Sequence, residues 1–185
     1  MTRGMSESKE EGFRYTHRGG YRPGAGRKPL VGRVSVKHAA RPVFDVPSAL
    51  HIVHRAGARA EVLSRRECQP TLEHALQESA EKPNFRLVLA GVGPDRLHLI
   101  VEADDKVALR FGMQSIAIRI ARQLNRFTGE RGQFFADRYD ARVLHTRRDI
   151  ETAVARLETA TQETGLAPIA LAPAQTALLK DVVGR

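Results

Sequence analysis

The chain has 185 residues, with 30 Lys and Arg against 21 Asp and Glu, for a formal net charge of +9. That length suits one modest domain with tails, or two very small ones, and the lone cysteine, Cys68, excludes a disulfide framework and a multi-cysteine zinc site. No apolar run approaches the roughly 20 residues of a membrane span, and the first residues carry no apolar core with a cleavage site, so a soluble cytoplasmic protein is expected.

The hydrophobic fraction of 42% permits a core, and the aromatic fraction of 5% with no Trp makes that core aliphatic. The basic residues divide into 24 Arg and 6 Lys. Arg is suited to bidentate phosphate contact and to stacking on bases, so a pI of about 10.4 points first to nucleic acid and second to an acidic membrane surface.

In chain order, residues 1–48 are rich in Gly, Arg and Pro and hold 10 basic against 4 acidic residues. They are too poor in large aliphatics to order themselves and read as a disordered basic arm. Within it, Arg22, Arg27 and Lys28 belong to a run, Arg22 to Pro29, that is similar to the minor-groove-binding AT-hook core. An α+β domain follows over 49–163. Leu50 to His54 alternates as a short strand. Leu72, Ala75, Leu76 and Ser79 lie at helical spacing within Arg65 to Glu81, and Pro83-Asn84 breaks the helix. Phe85 to Val92 and Arg96 to Glu102 are strands joined by the turn Gly93-Pro94-Asp95, which makes a hairpin. Asp104-Asp105 opens a helix running to about Phe127. Its apolar stripe is Leu109, Met113, Ile116, Ile120, Leu124 and Phe127. Arg119, Arg122 and Arg126 recur on another face of it. Gly129 and Gly132 end the helix, Phe134-Phe135 starts an extended segment, and Ala141 to Leu144 reads as a further strand. Thr146 with Asp149 forms a capping box for a helix from Arg147 to Glu163. Residues 164–185 read as a C-terminal tail of no firm structure. The order strand, helix, strand, strand, helix, strand, helix predicts an α+β, ferredoxin-like antiparallel sheet with helices packed on one face.

Four tracts carry a family resemblance: Asp95 to Ala103, Gly112-Met113-Gln114, Ala121 to Arg126, and Phe135 to Leu144. In order and spacing they resemble bacterial insertion-sequence single-strand tyrosine transposases, of the REP-associated type within the HUH superfamily. The resemblance covers about 49–157, and Ala172 to Leu179 resembles a segment that family members carry further along. It implies a known chemistry. Two histidines flanking a bulky residue on a strand project to one face and hold a divalent metal, magnesium or manganese, which polarises the scissile phosphate. A tyrosine on the last helix then attacks that phosphate and forms a covalent 5′-phosphotyrosine. The implied partner is single-stranded or hairpin DNA, acted on by a monomer or a homodimer.

The sequence departs from that pattern at both decisive places. Arg96 stands at the first histidine and only His98 matches, and a permanently cationic Arg cannot ligate a metal. Arg156 stands at the tyrosine position. The tyrosines are Tyr15, Tyr21 and Tyr139, of which Tyr139 reads as a packing residue. His51 and His54, three apart on a strand, face opposite sides and cannot share a metal, whereas His51 and His98 can meet across adjacent strands. The expected phosphate contacts are Arg119, Arg122 and Arg126, with Arg138, Arg142, Arg147 and Arg148 further on. From Arg110 to Arg148 there are 9 basic against 3 acidic residues. The reading is a transposase-family DNA-binding protein that has lost cleavage, with a weak metal site at His98. Two alternatives stand beside it: an active metal-dependent single-strand nickase using surrogate residues, and a nonspecific RNA-binding module, for which the hairpin strands offer only Phe85 as a stacking aromatic.

Overall fold

The computed structural model describes residues 42–44, 46–175 and 179–180. The basic arm, with Arg22, Arg27 and Lys28, lies outside the described residues.

The elements run β1 (Ser48–Arg55), α1 (Glu61–Ser64), a 3-10 turn at Arg66–Cys68, α2 (Gln69–Gln77), β2 (Glu81–Lys82), β3 (Phe85–Val92), β4 (Arg96–Ala103), α3 (Lys106–Thr128), β5 (Asp140–Leu144), α4 (Arg147–Thr164) and β6 (Ile169–Ala170). The sheet order is β2-β3-β4-β1-β5, with β6 also paired to β3, and every pairing is antiparallel. The inner order β3-β4-β1-β5 is the ferredoxin-like arrangement that the sequence predicts. The helix expected over Arg65 to Glu81 is the shorter α2, preceded by the 3-10 turn. Pro70 sits in its first turn, where a missing N–H costs nothing, and Glu81-Lys82 leaves the helix to pair with Arg86 and Phe85.

The period of two along the strands divides the core. Leu50, Ile52, Leu87, Leu97, Leu99 and Val101 are buried with Leu72 and Leu76 of α2 and with the α3 stripe of Leu109, Met113, Ile116, Ile120 and Leu124. The two ferredoxin helices thus share one face, as expected. The fourth helix adds a layer that the sequence order did not reveal. Ala49, Val88 and Ile100 face the other way and cluster with Ile150, Ala153 and Leu157 of α4. Two glycines set the helix–sheet distances. A Cβ on Gly91 would lie 2.4 Å from Leu157 Cγ, and one on Gly112 would lie 2.3 Å from the Phe85 ring. Both helices therefore sit closer to β3 than any side chain at those positions would allow.

The helix ends follow their sequence signals. Asp105 Oδ1 accepts from the amides of Val107 and Ala108, each at 2.7 Å, and Gly129 closes α3 in the left-handed region at φ 72°. Thr146 and Asp149 form the predicted reciprocal capping box on α4. The tail is more structured than its Ala/Pro-rich composition suggests. Beyond the β6 pairing, the Leu171 amide donates to the Val88 carbonyl at 3.0 Å. The Gln175 amide donates to both carboxylate oxygens of buried Glu102, and Leu179 is fully buried in the α4-side core.

Candidate DNA-contacting site between strand four and helix four

Alternation along β4 sends Leu97, Leu99 and Val101 to the α3 side and leaves Arg96 and His98 on the α4 side. α4 buries Ile150, Ala153 and Leu157, so the adjoining row of Thr152, Arg156, Thr159 and Glu163 overhangs the exposed end of β4. The result is a cleft of about 660 Å³ between Arg96 and His98 on the strand and Arg156 on the helix.

His51 joins this group from β1. In the register Val53 lies opposite His98 and His51 opposite Ile100, so the two imidazoles are diagonal neighbours on one face. Their rings stack at 20°, and His51 Nε2 lies 3.2 Å from His98 Nδ1, so one proton is shared along that line. Burial pushes the His51 pKa down to about 4, and the nearby charges of His98, Arg156 and Arg142 push the same way. His98 is lowered first by burial and then by Arg96. Arg156 adds to that, while Asp95 and Glu163 oppose it. Both rings are therefore neutral at pH 7 and serve as hydrogen-bonding groups rather than cations.

The surrounding arginines are of two kinds. Arg96 is clamped by its chain neighbour, with Nε donating to Asp95 Oδ1 at 2.6 Å and Nη2 to Oδ2 at 2.9 Å. The clamp holds the Asp95 carboxyl below its ordinary range. Arg142, directly opposite His51 on β5, donates to Asp149 at 2.9 Å, and Arg147 donates to Glu151 at 2.9 Å. Arg156 has no carboxylate partner among the described residues.

Of the residues expected from sequence, the structure thus brings Arg96, His98, Arg142 and Arg156 to the α4 side. Arg147 and Arg148 start α4 itself, where Arg147 is paired with Glu151, and the remaining described residues lie elsewhere. Arg119, Arg122 and Arg126 line a groove along α3, where Arg119 donates to Glu78 at 2.8 Å. Arg138 borders a separate cavity between α3 and residues 132–139. Tyr139 lines that same cavity and packs against the α3-side core, across the sheet from His98. Phe85 is buried under α3 and offers no exposed stacking face. The sequence marks Asp95 only as a turn residue and Glu163 only as a helix end, with no part in a site. Their only signal was position: one adjoins Arg96, and the other lies two turns beyond Arg156 on the same helix.

Residues 47–155 match the model of the IS200-like transposases, well over half of the chain. The chain belongs to the IS200-like transposase family. The match ends one residue before Arg156. Among solved structures, this family member is similar to a REP-associated tyrosine transposase bound to a REP hairpin. The TM-score is 0.51 at 16% identity, over 70% of this chain and 74% of that one, which shows a shared fold. It also matches a transposase structure from Deinococcus radiodurans, at TM-score 0.46 and 18% identity, covering 76% of this chain and 100% of that one. No curated protein matches it.

The divalent metal that the family implies does not fit the donors of this cleft. Among the described residues no three His, Cys, Asp or Glu side chains converge. The residue that shares the strand face with His98 is Arg96, whose guanidinium cannot ligate a metal, and the two histidines spend ring nitrogens on each other. No described helix is long and apolar enough to cross a membrane.

Proposed function

We propose that this IS200-like family member binds single-stranded or hairpin DNA across the β4–α4 cleft and does not cut it. The observation that carries this reading is Arg156 on α4. It stands where the family's nucleophile is expected and acts electrostatically on both His51 and His98. A guanidinium there contacts phosphate but cannot form a phosphodiester adduct. No tyrosine among the described residues lines the cleft. The hairpin-bound transposase that shares this fold supports a DNA ligand, as does the charge pattern. The further phosphate contacts are Arg119, Arg122, Arg126, Arg138, Arg142 and Arg147, with Arg22, Arg27 and Lys28 of the arm.

Labelled hairpin DNA incubated with the protein and magnesium or manganese tests this directly. Salt-dependent binding without nicking or covalent adduct is expected. An adduct abolished by Tyr139→Phe overturns the proposal in favour of a surrogate nickase. The reciprocal experiment installs Arg96→His and Arg156→Tyr together. Metal-dependent cleavage is expected only in the double variant, because metal and nucleophile act in one step.

A further inference from the structure

A second cavity, of about 680 Å³, lies on the opposite side of the sheet from the β4–α4 cleft, between α3 and residues 132–139. We propose that it holds one unpaired nucleotide of the bound DNA strand, with the base against α3 and the phosphate at Arg110 and Arg138. This rests on the DNA-binding reading above and adds a base-contacting site to it.

The cavity has the size of small-molecule sites and their composition, an apolar interior with a few converging polar groups. Its α3 wall is low, because Met113 is buried and the neighbouring positions are Ala117 and Ala121. Its other wall is rigid. His54, 5% exposed, lies flat on Phe135 with ring centroids 3.8 Å apart and planes within 8°. The His54 Nε2–H donates to the Asp137 carbonyl at 3.1 Å, which fixes the tautomer and leaves Nδ1 as a buried acceptor without a hydrogen bond.

The rim supplies what a nucleotide needs. Gln114 presents an amide with no partner among the described hydrogen bonds, and Gln133 donates only a long 3.4 Å bond to the Ala136 carbonyl. Amides offer donor and acceptor side by side, which matches the edge of a base. Arg110 rests over the Phe111 ring at 4.6 Å, and neither Arg110 nor Arg138 has a carboxylate partner among the described residues. Asp137, the acidic residue of the cavity, is already engaged by the Arg138 amide at 2.7 Å. Two free guanidiniums beside an apolar slot fit a phosphate attached to a flat heterocycle, and a base outside a duplex is the form in which a heterocycle can enter.

The test uses the full chain and three labelled DNA hairpins: blunt, with a four-nucleotide single-stranded tail, and with the same tail made abasic. The tailed hairpin is expected to bind about tenfold more tightly than the abasic one. The variant Gln114→Ala/Gln133→Ala should erase that increment while leaving the blunt hairpin's affinity unchanged. Ala117→Leu, which fills the slot without touching the rim, should erase it as well. Thermal melting of each variant separates loss of the slot from loss of the fold. Equal binding of tailed and abasic hairpins overturns the proposal, as does an increment that survives both variants. Displacement by free dAMP or dTMP below millimolar concentration with no tail increment assigns the slot to a mononucleotide and overturns the strand assignment. Failure to bind any of the three DNAs refutes the DNA-binding reading itself.

Discussion

Replacing Gly91 by Ala probes the contact that seats α4 over β3. The added Cβ would lie 2.4 Å from Leu157 Cγ, 2.6 Å from Cδ2 and 3.1 Å from the Leu157 carbonyl oxygen. Carbon pairs settle near 3.5–4.0 Å, so Leu157 cannot keep its present place. Either α4 lifts by about 1 Å or Leu157 leaves its rotamer, and over-packing of this kind costs about 1–3 kcal/mol. For a chain of this size each kcal/mol is about 2–4 °C in Tm, so Gly91→Ala should melt about 2–12 °C below the parent by circular dichroism. Leu157→Ala alone empties a fully buried site and should cost about 2–5 kcal/mol. In the double variant the new methyl occupies part of the space that Leu157 vacates. The combined loss should therefore fall short of the sum by more than about 0.5 kcal/mol. An unchanged Tm for Gly91→Ala, or strict additivity with Leu157→Ala, refutes the close contact.

Three further outcomes follow from the same contacts. His51 titrates at about 4 in the folded chain and near 6.5 when unfolded, so between those values the unfolded state binds the extra proton. The stabilisation is complete above pH 6.5 and declines by up to about 3 kcal/mol as pH falls to 4. Urea titrations should show a flatter dependence in His51→Gln, and equal slopes in parent and variant would exclude the buried neutral ring. Asp105→Ala removes both capping bonds of α3 and should cost about 1 kcal/mol in the same denaturation assay, with Asp105→Asn losing less. Deleting residues 166–185 strips Leu179 from the α4-side core and leaves Glu102 without the Gln175 amide. A loss of at least about 2 kcal/mol is expected for the Leu179 side chain alone, and an unchanged midpoint would show that the tail does not hold the core.

The ferredoxin-like frame was legible because its signals are local. The β3–β4 hairpin announces itself through Gly93-Pro94-Asp95, α3 through Asp105 and a stripe of about five turns, and α4 through Thr146 and Asp149. What sequence did not reveal depends on long-range placement. The close seat of α4 on the other face uses Gly91, a lone glycine in a strand that reads as ordinary from its neighbours. The tail carries no periodicity because it is held by one strand's free edge and a single carboxylate. At the candidate site, the period of two put Arg96 and His98 on one face correctly. The His51–His98 contact was visible only as an option, since it needs the β1–β4 register, which no local signal fixes. The arginines divided in the same way: Arg156 and Arg142 converge on the histidines, while Arg119, Arg122, Arg126 and Arg138 share their charge but lie across the sheet.

The pairing of β3 with both β2 and β6 has a consequence for self-association. An open strand edge is a template on which another chain can add itself, and proteins must blunt it to stay dispersed. Here β2 covers Phe85-Arg86, β6 covers Leu89-Ala90, and the Leu171 amide reaches the Val88 carbonyl. The protein thus seals one side of its sheet with two short pieces of its own chain, one from before the hairpin and one from after α4. Within the described residues the other border is β5, whose five residues carry Asp140 and Arg142. Charges at a border discourage a second sheet from docking there.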